Sequence, residues 1–128
     1  MEKLLALTQR IQDISAISVK KDNYTTHNVE QGTSISFDLL RNEHVDVFNS
    51  FLSKGTIFPL HEHLESDEIF VLYTGDITII CDDGKEVSKI KLQIGKPVVI
   101  TKCTKHLLKV NADSWVIAVV IPPDLKLI

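Results

Sequence analysis

No stretch of this 128-residue sequence approaches the ~18 consecutive apolar residues of a membrane-spanning helix. Cysteine is scarce as well. Cys81 and Cys103 are the only two, too few for a disulfide framework and without the spacing of a zinc site. Charge of one sign is also lacking: a formal net charge of −3 offers no basic surface for nucleic acid or for an anionic membrane. There is no internal repeat and no low-complexity tract. The first residues carry Glu2 and only the short run Leu4-Leu5-Ala6-Leu7, which argues against a signal peptide. These absences point to a reducing, cytoplasmic setting. What is present is ordinary for one globular domain: 44% hydrophobic and 24% charged residues, in a chain long enough to bury roughly two-thirds of its unfolded surface.

One stretch stands out, Gly55 to Gly75, reading GTIFPLHEHLESDEIFVLYTG. On a β-strand the period of two puts His61 and His63 on one face and Glu62 on the other. The polar turn Glu65-Ser66-Asp67 then leads to Glu68 and the apolar run Ile69 to Tyr73. A strand returning beside the first brings the Glu68 carboxylate back towards the two rings. Imidazoles with a carboxylate suit a divalent transition metal, and His106 can supply a further ligand.

The rest of the chain reads as a helix followed by strands. Leu4, Leu7, Ile11 and Ile14 form one apolar stripe on a helix of about four turns. Such a stripe packs on the domain or serves as a dimer seam. From Tyr24 onward around ten short strands alternate with turn signals. They are 24–29, 33–40, 45–52, the two strands of the Gly55–Gly75 stretch, 77–81, 87–92, 98–100, 106–110 and 115–121. Asp82-Asp83-Gly84-Lys85 is the clearest hairpin turn, because Asp-Gly tolerates positive φ. Parity places Glu68, Phe70 and Leu72 on one face, and likewise His106, Leu108 and Val110. If the carboxylate and the imidazole face inward, the metal centre is walled by hydrocarbon. Ile69, Val71 and Tyr73 then form a second apolar face that needs cover, from the helix or from a second subunit in a homodimer. Lys102, Lys105 and Lys109 lie near His106 as a solvated edge or as a guide for an anionic ligand. His27 and His44 have no place in the pattern and read as surface groups.

The stretch resembles the first motif of the cupin superfamily: glycine, five residues, His-x-His, three or four residues, glutamate, six residues, glycine. Gly55, His61, His63, Glu68 and Gly75 fill every fixed position, a coincidence expected in about 3 of 100,000 random chains of this length. The second cupin motif is kept in part. Gly95 and His106 fit it, while Thr101 stands for the usual proline, Cys103 for the usual glycine, and Asn111 falls one residue late. A turn that uses positive φ penalises a side chain, so this turn is expected to differ locally.

The resemblance implies an all-β cupin barrel, the double-stranded β-helix or jelly roll. It would occupy residues 24–123 as one domain with the short N-terminal α-helix of residues 1–20. It implies one divalent metal (Fe, Mn, Ni, Co or Zn) on His61, His63, Glu68 and His106, with open positions for water, O₂ or a chelating substrate. The function expected is that of a metal-binding cupin acting on a small polar molecule by dioxygenase- or isomerase-type chemistry. The alternative is a small-ligand-binding or sensing domain without turnover. Partners expected are a small-molecule ligand or substrate and a second copy in a homodimer, with no nucleic acid and no membrane.

Overall fold

The computed structural model describes residues 24–123; the expected N-terminal helix and its apolar stripe lie outside the described residues. Eight strands follow in order. They are β1 (Tyr24–Thr26), β2 (Ser34–Arg41), β3 (Asp46–Leu52), β4 (Ile57–His61), β5 (Asp67–Asp82), β6 (Val87–Lys91), β7 (Val98–Ile100) and β8 (Lys105–Ile121). No helix is present among the described residues, so none there is long and apolar enough to cross a membrane.

All pairings are antiparallel, and the two long strands organise them. The first half of β5 pairs with the second half of β8, extended on one side by β3, β2 and β1 and on the other by β7. The second half of β5 pairs with the first half of β8, flanked by β6 and β4. Two four-to-six-stranded layers thus share β5 and β8, which is the jelly-roll plan anticipated from the sequence. Leu72, Ile77, Ile79, Leu108, Val110, Val116 and Ala118 form the buried core contributed by these long strands.

The sequence predicts breaks near Gly75 and at Asn111-Ala112-Asp113, yet both strands run through. Three register shifts between Leu72 and Ile77 absorb the bend instead, as bulges do where a strand passes from one layer to the next. Gly75 makes this possible. Its φ is 106°, and a Cβ there would sit 2.1 Å from Ser114 Oγ and 2.6 Å from the Asp113 carbonyl. The 82–87 hairpin forms as expected, with Asp82 opposite Val87. Tyr73 is buried and donates its hydroxyl to Asn49 Oδ1, away from Glu68. Both cysteines are free thiols, Cys81 in the core and Cys103 exposed.

Candidate metal centre

His61 closes β4 and His106 is the second residue of β8, and the two stand opposite each other in the β4–β8 ladder. A register shift between Phe58 and His61 precedes that pairing, where Pro59 has no N–H to give to a ladder. The shift turns the Pro59 carbonyl onto His61 Nδ1 at 2.9 Å. His106 repeats the arrangement, with Nδ1 3.0 Å from the Thr104 carbonyl. A carbonyl only accepts, so both rings carry a proton on Nδ1 and turn Nε2 inward, where a metal would take the place of any proton on Nε2. This is how ligating histidines are held in one tautomer and one orientation.

His63 lies in the loop two residues beyond β4 rather than on the strand, yet its ring still joins the other two. Ring centroids are 5.2 Å apart for His61 and His63, and 4.2 Å for His61 and His106. Glu68, second residue of β5, directs Oε1 to within 3.3 Å of His63 Nε2 and 3.1 Å of His106 Nε2. One ligand atom from each of these four residues falls within 4.8 Å of all the others. Donors bound at about 2.0–2.2 Å to one ion stand about 3 Å from one another. The four donors thus converge closely enough for small side-chain movements to bring them onto one ion, and the chemistry of the set fits a divalent transition metal.

The electrostatics agree. Burial opposes a charge on Glu68, but hydrogen bonds from His106 and His63 outweigh it and hold the carboxyl at about 2. Burial, reinforced by the neighbouring His106, pushes the His61 pKa below its ordinary value despite the Glu68 charge. An ionised carboxylate beside a neutral imidazole is the protonation state that coordination requires.

The second-motif turn does not depart from the expected conformation as the sequence predicts. Cys103 itself adopts φ 66°, the left-handed region usually left to glycine. What holds it there is its role as a clamp between the two motifs. Its N–H donates to the His63 carbonyl at 2.8 Å and its thiol lies 3.6 Å from the Leu64 carbonyl. Next to it the Lys102 N–H donates to Asp67 Oδ1 at 2.9 Å. The loop bearing His63 and the loop preceding His106 are thus fixed to each other.

His61, His63 and Glu68 open onto a cavity of about 410 Å³, while His106 is fully buried behind them. Phe58, Phe70, Leu108 and Val116 supply apolar wall, as the parity argument anticipates for Phe70 and Leu108. His27 corrects the sequence reading: it is half-buried and lines this cavity, whereas His44 is exposed as expected. Ser34, Ser36 and Asp38 of β2 and Asp46 and Ser50 of β3 also face it. Burial, with Asp38 adding to it, raises the pKa of Asp46 against the pull of Arg41. Lys102, Lys105 and Lys109 are exposed and none of them lines the cavity.

No protein-family model matches the chain, and no curated protein matches it by sequence. Solved structures do resemble it. KdgF from Halomonas sp. superposes with a TM-score of 0.68 at 20% identity, over 84% of this chain and 95% of that one. A cupin superfamily protein from Desulfitobacterium hafniense gives 0.62 at 15% identity, over 76% and 83%. A predicted oxalate decarboxylase from Thermotoga maritima gives 0.60 at 21% identity, over 79% and 93%. The fold is that of the cupins.

Proposed function

We propose that this chain, a cupin by fold, holds one divalent transition metal on His61, His63, Glu68 and His106 and acts as a metal-dependent enzyme on a small polar molecule. The observation that carries the reading is the orientation of the two strand-borne rings. Backbone carbonyls accept hydrogen bonds from Nδ1 of both His61 and His106, which directs Nε2 of each inward beside an ionised carboxylate, where a metal would displace any Nε2 proton. The predicted oxalate decarboxylase among the structural neighbours lends support to an activity on small molecules.

A bound metal would supply a Lewis acid for a carbonyl or hydroxyl, or, as iron, a site for O₂. The chain's own residues set the rest. His61 and His106 keep fixed ring orientations, Glu68 provides the negative charge, and Phe58 and Phe70 would shield one side of a bound molecule from water. The cavity falls within the size range of small-molecule sites.

Metal identity in protein purified without added metal is the test. Iron, with O₂ uptake in the presence of a small organic acid, supports the dioxygenase form; zinc or nickel directs the search to isomerase chemistry. Absence of turnover with every metal would replace the enzymatic reading by that of a ligand-binding or sensing domain.

A further inference from the structure

The metal cluster occupies only one part of the cavity wall. On another part, residues from three elements make a continuous hydrogen-bonded chain. His27, just after β1, has its Nε2 2.8 Å from Ser36 Oγ of β2, and Ser36 Oγ lies 2.7 Å from Ser50 Oγ of β3. Ser36 and Ser50 are buried and stand opposite each other in the β2–β3 ladder. His27 is fixed independently of its side chain, since its N–H donates to the Ser34 carbonyl at 2.9 Å. Its ring packs on Phe58, centroid to centroid 5.5 Å, and Phe58 packs on His61 at 5.1 Å. One aromatic ring therefore touches both His27 and the metal cluster.

Hydroxyls and an imidazole on the inward face of a barrel are an expensive choice unless they are satisfied and used. Ser36 and Ser50 satisfy each other. His27 has a second nitrogen, and among the described residues Nδ1 has no hydrogen-bond partner. A hydroxyl both donates and accepts, so the Ser36–Ser50 pair can point its protons either way. His27 lines the cavity, and with Nε2 engaged by Ser36 its Nδ1 can serve a ligand as donor or as acceptor.

We propose that His27, backed by Ser36 and Ser50, is a second ligand subsite of this cavity, which takes a hydroxyl of a molecule whose other end is an oxyanion held at the metal cluster. The inference rests on the metal-binding reading and assigns the ligand class: a short hydroxylated carboxylate rather than a plain one. His27 is a positioning and specificity residue, and the Phe58 ring sets the apolar span between the two anchors.

The test uses Co(II)-loaded protein, with cobalt content measured first. The probes are short unbranched carboxylic acids of increasing length and their ω-hydroxy counterparts, with binding followed in the cobalt visible spectrum. At one chain length the ω-hydroxy acid should bind about 2- to 12-fold more tightly than its parent acid, the worth of one neutral hydrogen bond. His27→Phe should remove that gain and leave the parent acid's affinity unchanged, whereas His27→Gln should retain part of it. A merely structural role would weaken both acids together. No gain at any length, or a gain that survives in His27→Phe, overturns the subsite while leaving the metal site intact; failure to hold cobalt overturns both. Should His27→Phe not fold, imidazole ¹⁵N resonances of the unaltered protein decide. The His27 signals should move with the ω-hydroxy acid and stay with the parent acid, and unmoved signals in both overturn the proposal.

Discussion

Lowering the pH of metal-free protein isolates the contribution of Glu68 to stability. In the folded chain this carboxyl is held at about 2, against 4.5 for the ordinary group. A depressed folded-state value stabilises the fold wherever the unfolded chain would bind the proton and the folded one would not. The stabilisation is therefore fully present above about pH 4.5 and disappears as the pH falls from there through 2. At about 1.4 kcal/mol per pH unit, the contribution is of order 3 kcal/mol. Glu68 is only 5% exposed, so solvent screening does little to reduce it. Other carboxyls titrate over the same range, and subtracting the same series on Glu68→Gln removes them. Urea unfolding of EDTA-treated protein from pH 7 to pH 2.5 should show the unaltered chain losing about 2–3 kcal/mol more than the variant. Parallel pH profiles for the two proteins would refute the claim that hydrogen bonds from His106 and His63 outweigh burial at this carboxylate.

Three further outcomes follow from single positions. Cys103→Gly should stabilise the fold by about 1 kcal/mol, because glycine carries φ 66° without the penalty a side chain incurs; Cys103→Ala should not, and an equal gain in both variants by thermal unfolding would contradict the backbone argument. Gly75→Ala should cost roughly 1–3 kcal/mol or more in urea, since its Cβ would overlap Ser114 Oγ and the Asp113 carbonyl at a φ of 106°; an unchanged midpoint would mean that the two long strands do not approach as closely as described. His106→Ala should keep the fold and bind Co(II) at least ~10-fold more weakly in a competition titration, and undiminished affinity would move the fourth ligand elsewhere, with Cys103 the first residue to examine.

Much of the candidate site is legible in the sequence because its first three members are local. His61, His63 and Glu68 lie within eight residues, and one strand, one turn and the next strand suffice to bring them together. His106 is legible through its distance from Gly95 in the second motif that the chain resembles, helped by the alternation of the segment after it, and the structure sets it opposite His61. The opposite wall is not. In β2 the alternation is inverted relative to the usual rule. Ser34, Ser36 and Asp38 face the cavity while Ile35 and Phe37 take the other side, so a reader who assigns polar residues to solvent turns the strand over. That inversion, next to a histidine with no evident role, is the signal from which His27 could have been found. The strand breaks fail for a related reason. Gly75 and Asn111-Ala112-Asp113 have the composition of turns, but here they serve a bulge and a crossing between two layers, which only the partner strand reveals. Cys103 differs again: the local rule that β-carbons avoid positive φ is overridden by a hydrogen bond to the His63 carbonyl, a contact forty residues back in the chain.

The central claim is that these four side chains hold one metal ion, and metal stoichiometry tests it most directly. Elemental analysis of protein purified without chelator should give close to one equivalent of a divalent transition metal per chain, and the His61→Ala/His63→Ala double variant, still folded, should hold almost none. Full retention of the metal in that variant would contradict the account.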